Sequence, residues 1–147
     1  MKQNISVEDL NELSEEQKEK LRKMWEPKQY DVVYVHWMEV QQFATGIILN
    51  VNILENGYWD LQVYSNETLR GFRPKQYLLP ILSIGQMIEI LINNNEFFNI
   101  SNVYVKHPTT SDRSINNGYG IWLHKLSKEY RADELCNALW LAVKNIL

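Results

Sequence analysis

The tryptophans and arginines of this chain are the residues whose chemistry best suits the binding of an aromatic anion. Five of the 147 residues are tryptophan and eight are tyrosine. Indole rings stack on nucleobases, and guanidinium groups form paired hydrogen bonds to phosphate. From their types and their places on predicted strands and loops, we select seven candidate ligand-binding residues: Trp59, Arg70, Arg73, Arg113, Trp122, His124 and Lys125.

Two roles remain open for these candidates. As ligand residues, Trp59 and Trp122 would stack on a base, the arginines and the lysine would bind phosphate, and His124 would make a polar contact. Alternatively, both tryptophans fill a small core, where large side chains are needed to bury enough apolar area. Arg70 and Arg73, which flank Phe72, also fit a solvated surface.

The chain carries no sequence pattern of a catalytic or metal-binding site. It lacks the glycine-rich phosphate loops, the His-Glu-x-x-His zinc motif, paired Cys-x-x-Cys and the Gly-x-Ser-x-Gly elbow. His36, His107 and His124 do not have the spacing of metal ligands. Cys136 is the only cysteine, so no internal disulfide forms. We therefore expect no catalytic residue, no metal ion and no cofactor, and a protein that is not an enzyme.

Three helices are predicted: one N-terminal, one in the middle and one C-terminal. Ser14 and Ser83 each precede a glutamine by three residues, a capping-box pattern that starts a helix. Pro27 ends the first of these helices and Asn93–Asn95 ends the second. The last helix is predicted over Tyr130–Ile146, with leucine and valine residues on its inner side.

Segments rich in β-branched and aromatic residues predict strands between these helices. The predicted strands are Tyr30–Met38, Phe43–Leu54, Tyr58–Tyr64, Thr68–Phe72, Phe97–Lys106 and Tyr119–Lys125. Asn56-Gly57 predicts a type I′ hairpin turn, because both central positions of that turn favour positive φ. No βαβ crossover appears, so we expect an α+β fold: a small twisted antiparallel sheet of about five strands with an N-terminal, a middle and a C-terminal helix. We expect a single domain over residues 1–147.

The charge balance argues against general DNA binding. Fifteen lysines and arginines against eighteen acidic residues give a formal net charge of −3, whereas duplex-DNA binders are usually basic. One run of alternating charges favours a solvated helix face: Glu12, Glu15, Glu16 and Glu19 with Lys18, Lys20, Arg22 and Lys23. The apolar runs are too short to span a membrane, and Met1–Ser6 lacks the apolar stretch of a signal peptide, so a cytoplasmic location is expected.

Three blocks in the same order along the chain carry a family resemblance. They are Leu13–Arg22 followed by Met24–Pro27, then Leu78–Glu89, then Glu134–Lys144. These blocks resemble the patterns L-x-E-x-Q-K-E-K-L-R-x-x-W-x-P, L-P-x-L-S-I-G-Q-M-I-E and E-L-C-D-A-L-W-x-A-V-K of small, uncharacterised phage and prophage proteins of clostridia and related low-GC bacteria. Those proteins commonly have a Gly-Asp pair where this chain has Tyr30 before Asp31. The resemblance implies a mobile-element origin and brings no catalytic residues with it.

A phage-encoded protein without catalytic residues is expected to act by binding. Our first hypothesis is counter-defence in the host cytoplasm, in which the protein sequesters a nucleotide-type immune signal of the host. The alternative is a protein–protein inhibitor of a host defence nuclease or another host factor, which would use an aromatic surface. A homo-oligomer that completes the ligand site at an interface is compatible with the first hypothesis.

Overall fold

The computed structural model describes residues 2–66, 69–94, 96–106 and 115–147. Over these residues the chain is an α+β protein with a five-stranded antiparallel sheet, a three-stranded sheet, and N-terminal, middle and C-terminal helices. The predicted fold class is confirmed, although the sequence did not predict the second sheet. The chain divides into two compact units, Ser6–Ile81 (the N-terminal unit) and Met1–Ile5 with Leu82–Leu147 (the C-terminal unit). The single domain expected over residues 1–147 stays a prediction.

The N-terminal unit consists of two helices and the five-stranded sheet. The helices are α1 (Val7–Asn11) and α2 (Glu15–Met24). The strands are β1 (Val32–Trp37), β2 (Gln42–Ile53), β3 (Trp59–Tyr64), β4 (Arg70–Pro74) and β5 (Leu78–Pro80), in the sheet order β4-β3-β2-β1-β5. A single 3-10 turn, Lys75–Tyr77, connects β4 to β5.

Helix α2 begins where the sequence predicts, at the Ser14 cap. The Ser14 hydroxyl accepts a hydrogen bond from the Gln17 backbone at 3.2 Å, and the Gln17 side chain accepts one from the Ser14 backbone at 3.1 Å. Leu21 is buried on the inner side of the helix. The neighbouring Arg22 donates from Nε to the carbonyl oxygen of Leu78 at 3.1 Å, which ties α2 to β5.

The two faces of the five-stranded sheet differ in burial. Along β1, Val33, Val35 and Trp37 are buried and pack with residues of β2 and β3 to form the core of this unit. The opposite face, which we call the outer sheet face, carries partly or largely exposed side chains: Tyr34, Phe43, Ile47, Tyr64 and Phe72. This alternation is the pattern of a sheet that covers a core on one side only.

The hairpin between β2 and β3 has a longer turn than the sequence predicts. Residues 55–57 form a three-residue loop, in which the Leu54 backbone donates to the Tyr58 carbonyl at 2.9 Å and the Gly57 backbone donates to the Leu54 carbonyl at 2.8 Å. Gly57 has a φ of 79°, whereas Asn56 has no positive φ. The predicted two-residue type I′ turn is therefore wrong, because three-residue loops ending in a left-handed glycine also match the strand twist.

Tyr30, just before β1, adopts a left-handed backbone conformation. Its φ is 72°, a region that costs a residue with a Cβ atom about 1–2 kcal/mol. The conformation directs the Tyr30 backbone N–H to the carbonyl of Ile48 at 2.7 Å.

The C-terminal unit packs two helices with the three-stranded sheet. The elements are α3 (Ile84–Asn93), β6 (Phe98–Lys106), β7 (Ile115–Leu123), β8 (Lys128–Ala132) and α4 (Leu135–Ile146), with the sheet order β6-β7-β8. Helix α3 begins at the predicted Ser83 cap, where Gln86 completes the capping box. Helix α4 contacts β7, β8 and α3. No helix among the described residues is both long enough and apolar enough to cross a membrane.

The start of the last helix is the clearest error of the sequence prediction. Tyr130 was expected to begin this helix, but it lies in β8 opposite Ile121 of β7, and the helix begins only at Leu135. The aromatic and charged residues of Lys128–Ala132 fit a strand as well as a helix. Pairing with β7 makes this segment a strand rather than a helix. The residues around Tyr130 do not by themselves predict that pairing.

Candidate functional site

The seven predicted ligand-binding residues are divided between the two units. The N-terminal unit holds Trp59, Arg70 and Arg73, the C-terminal unit holds Trp122, His124 and Lys125, and Arg113 lies outside the described residues. The hypothesis that all seven contact one ligand stays a prediction.

Arg70 and Arg73 lie on opposite faces of the sheet. Arg73 pairs in register with the buried Leu61, and its guanidinium carbon lies 4.4 Å from the centroid of the Trp37 ring. Its Nη2 forms an ion pair with Glu39, and its side chain is only 17% exposed. Arg70 is exposed and lines a cleft of about 390 Å³ beside the β-bulge at Leu49. The structure therefore gives Arg73 a stabilising contact within the fold and leaves Arg70 accessible.

The predicted residues of the C-terminal unit lie at the end of β7 and in the turn that follows. Trp122 is 39% exposed and pairs in register with Asn99 and Glu129. Lys125 lies 3.7 Å from the carboxylate of Glu96, whose side chain is 4% exposed. His124 is exposed, and its backbone N–H donates to the Phe97 carbonyl at 2.9 Å. One interaction of Lys125 thus serves to neutralise a buried charge.

A cleft beside α2, which we call the helix cleft, brings Trp59 close to three cationic side chains. Its volume is about 220 Å³. Helix α2 contributes Arg22 and Lys23, and the 3-10 turn contributes Lys75. The lining also includes one carboxylate, that of Glu19. The remaining lining residues are Gly57, Tyr58, Pro74 and Gln76.

Lys75 is the most constrained cation of the helix cleft. Its Nζ donates a hydrogen bond to the carbonyl oxygen of Trp25. The same atom lies 5.4 Å from the centroid of the Trp59 ring and 5.7 Å from that of Trp25, within the range of cation–π attraction. Burial lowers the pKa of Lys75, and the nearby charges of Glu26 and Glu19 partly offset this effect. The amine is therefore positioned beside an indole that also lines the cleft.

Arg22 is held at two points on the wall of the helix cleft. Besides its bond to Leu78, it donates from Nη1 to the Glu19 carboxylate at 3.4 Å, and its side chain is 19% exposed. Lys23, by contrast, is exposed on the next position of α2. The cleft thus combines one fixed guanidinium with one mobile ammonium group, since exposed lysine side chains retain rotamer freedom.

A second cleft, which we call the aromatic cleft, lies at the outer sheet face beside α2. Its volume is about 300 Å³. The ring of Phe43 stacks on His36 with centroids 4.3 Å apart and on Tyr34 with centroids 5.3 Å apart. Other residues that line this cleft come from α2 and the 3-10 turn: Glu15, Lys18, Arg22, Gln76 and Tyr77. The Lys18 ammonium, 2.7 Å from the Glu15 carboxylate, lowers the pKa of Glu15 through a hydrogen bond and its charge.

Sequence reasoning missed the cations of the helix cleft. It assigned Arg22 and Lys23 to a solvated helix face, although Arg22 follows the buried Leu21 and long cationic side chains often cover the apolar surface beside a buried stripe. That adjacency is the signal that could have identified Arg22. No comparable signal exists for Lys75, because its contact with Trp25 joins positions 50 residues apart in the chain.

Neither a metal centre nor a relative supplies a further guide to this site. Within the described part of the chain, no group of three or more His, Cys, Asp or Glu side chains is arranged to hold a metal ion. Comparison of the sequence with protein-family models and with curated proteins, and of the fold with solved structures, finds no match. Function is therefore inferred from the geometry of the clefts.

Proposed function

We propose that the N-terminal unit binds a small anionic ligand of the nucleotide type in the helix cleft and holds it without chemical change. The observation that carries the proposal is the Trp59 ring lying beside the Lys75 ammonium in a cleft also lined by Arg22. An aromatic face next to cationic donors suits a base attached to a phosphate, because the base stacks while the phosphate accepts charged hydrogen bonds.

The local charge supports an anionic ligand. Three cations and one carboxylate line the helix cleft, although the whole chain has a formal net charge of −3. A positive cleft on an acidic protein attracts phosphate while the remaining surface repels extended nucleic acid. This contrast favours a small anion over a DNA or RNA strand.

The biological role that we propose is sequestration. In the setting implied by the phage resemblance, the ligand is a nucleotide-type immune signal of the host, and tight binding in the host cytoplasm lowers its free concentration. Such a role needs stacking and cationic groups and needs neither a cofactor nor a catalytic residue. It is therefore compatible with the residues that line the helix cleft.

Calorimetric titration with adenosine 5′-monophosphate (AMP) tests the proposal. Lys23 is exposed, so Lys23→Gln removes a charge from the cleft without disturbing the core. We expect this change to weaken AMP binding about threefold or more, as for the loss of one phosphate contact. Lys20→Gln is the matched control, because Lys20 lies on the same helix and does not line the cleft; its affinity should equal that of the wild type.

A second pair of variants distinguishes the two tryptophans that the sequence singles out. We expect Trp59→Ala to lower AMP affinity about tenfold through the loss of stacking, and Trp122→Ala to leave it unchanged. The opposite pattern would place the site in the C-terminal unit. AMP recovered intact after heat denaturation of the complex supports retention, whereas adenosine or another product would show turnover. Failure of the wild type to bind mononucleotides and dinucleotides alike would refute the proposal.

The outer sheet face favours a second candidate function, the binding of a protein partner. Phe43 is 56% exposed, Phe72 48% and Ile47 43%. These side chains share one face of the sheet, and exposed apolar side chains on such a face are typical of protein interfaces. Under this alternative, the protein inhibits a host defence nuclease or another host factor. A partner retained by Lys23→Gln and lost by Ile47→Asp would support this function over nucleotide binding.

A further inference from the structure

The helix cleft and the aromatic cleft share part of their lining. Arg22 and Gln76 line both clefts. Arg22 therefore lies at the boundary between two concave surfaces, and its two hydrogen bonds, to Leu78 and to Glu19, fix the guanidinium there. A ligand that extends across this boundary would place its middle portion against a pre-positioned cation.

Each cleft offers its own aromatic surface. In the helix cleft, this surface is the Trp59 ring beside Lys75. In the aromatic cleft, it is the stack of Phe43 on His36, whose planes are inclined by only 9°. Phe43 is 56% exposed, so it has surface left for a further contact. Stacking on such rings is available to any base, because every base has a π-face.

The charges and volumes also fit one ligand that occupies both clefts. Lys18 adds a fourth cation, and Glu15 a second carboxylate, so the combined surface stays positive. The helix cleft, at about 220 Å³, is smaller than most small-molecule sites, and the aromatic cleft, at about 300 Å³, lies at their lower limit. Together they fall within the usual range.

We infer that the ligand is a dinucleotide, with one base in the helix cleft, the other in the aromatic cleft, and the linking phosphate against Arg22. This inference rests on the proposed function, since it names the ligand class of that site. It goes beyond that function by assigning a binding role to Phe43, His36 and Tyr77, which a mononucleotide in the helix cleft would not touch.

The decisive comparison is between ADP and the linear dinucleotide pApA, measured by calorimetric titration of the full chain. The two probes carry two phosphate groups each, but only pApA has a second base. We expect pApA to bind at least about tenfold more tightly than ADP, the gain from one additional stacked base. We expect Phe43→Ala to abolish this difference by weakening pApA alone.

Two further variants make the comparison robust. Tyr77→Ala removes a ring of the aromatic cleft that belongs to the 3-10 turn rather than to the sheet. This variant therefore provides the test if Phe43→Ala fails to fold. Phe72→Ala removes an exposed aromatic ring that lines neither cleft, and it should bind both probes as the wild type does.

The outcomes separate the dinucleotide inference from the proposed function. Equal affinities for ADP and pApA, or a folded Phe43→Ala and Tyr77→Ala that both retain the preference for pApA, would overturn the inference and leave nucleotide binding standing. Absence of binding by AMP, ADP and pApA alike would overturn both.

Discussion

The protonation of Lys75 links the stability of the chain to its proposed ligand binding. The unfolded chain leaves this amine in water, whereas the fold places it between two indole rings and lowers its pKa by burial. Because the folded pKa lies below the unfolded one, the unfolded chain binds more protons at pH values between the two. The contribution of Lys75 therefore makes the protein more stable as pH rises through that interval.

The same shift predicts that nucleotide affinity falls at alkaline pH. Phosphate is fully ionised well below this range, so the loss of charge from Lys75 is the change that weakens binding. We expect AMP affinity to decrease as pH rises toward the ordinary lysine pKa, and to do so earlier than an unperturbed lysine would. Lys75→Arg keeps its charge throughout, so calorimetric titration should show little decline with pH for this variant. An identical decline in both proteins would exclude Lys75 as the titrating group.

Tyr30 supplies a prediction about stability. Replacement by glycine removes the steric cost of a φ of 72°, although it also gives the unfolded chain more freedom. We expect Tyr30→Gly to raise the free energy of unfolding by about 0.5–1 kcal/mol in urea titrations. Tyr30→Ala removes the same exposed ring but keeps the unfavourable φ, so it should give no such gain. Equal stabilities of the two variants would contradict this expectation, because the relief of strain would then not exceed the entropy that glycine adds to the unfolded chain.

Arg70 and Arg73 show what the spacing of residues in a strand predicts about the sheet face on which each side chain lies. Both were named as candidate anion ligands that flank Phe72, and residues three apart in a strand lie on opposite faces. The structure follows this rule, with Arg73 packed on Trp37 and Arg70 exposed. The period-two pattern was readable in the sequence. Only the contact between Arg73 and Trp37 of β1 could not be predicted from this pattern, because it joins two separate strands.

At the scale of elements, the Ser83 cap of α3 is the most direct test of a local sequence signal. The Ser83 hydroxyl accepts a hydrogen bond from the backbone of Gln86, and the Gln86 side chain accepts one from Ser83. We expect Ser83→Ala to lower the free energy of unfolding by about 1 kcal/mol, and Ser83→Gly by only a few tenths. Thermal or urea denaturation monitored by circular dichroism measures both. An unchanged free energy of unfolding for Ser83→Ala would indicate that the hydroxyl does not stabilise the helix.

The sequence predicted those elements whose signals are local. Capping boxes located the starts of α2 and α3, and a capping box involves residues only three positions apart. The hairpin between β2 and β3 was also located correctly, although its loop has one more residue than expected. By contrast, β8 was assigned to a helix, because its identity depends on pairing with β7.

The sequence predicted which types of residue form the candidate site, but not which individual residues line it. Tryptophans and cations were the correct kinds of residue for an anion-binding cleft, and Trp59 does line one. Its cationic partners come from α2 and the 3-10 turn, which meet only because Arg22 reaches Leu78 and Lys75 reaches Trp25. Such contacts join segments about fifty residues apart, and periodicity and propensity do not encode them.

At the scale of the whole molecule, the net charge is negative although three cationic side chains line the helix cleft. The chain is acidic overall, and the charged side chains of α2 form ion pairs such as Lys18 with Glu15 and Lys20 with Glu16. Exposed pairs of this kind contribute little to stability. Arg22 and Lys75 have contacts within the fold, to Leu78 and to Trp25. Lys23, which is exposed, is therefore the cation of the helix cleft whose position the proposed anionic ligand would best explain.

The division of the chain into two units predicts that residues 6–81 fold and bind nucleotide by themselves. The core of the N-terminal unit, from Trp25 to Leu78, and every residue that lines the helix cleft lie within this segment. A core in a chain of this size supplies only about 3–5 kcal/mol, so we expect a cooperative but lower thermal transition than that of the full chain. AMP affinity should remain within about threefold of the full-chain value, because the segment keeps all the contacts that the proposal invokes. Circular dichroism and calorimetric titration of the 6–81 fragment test both statements, with Lys23→Gln in the fragment as the control for binding at the same cleft. A folded fragment that fails to bind AMP, beside a full chain that binds it, would show that the ligand site requires residues of the C-terminal unit.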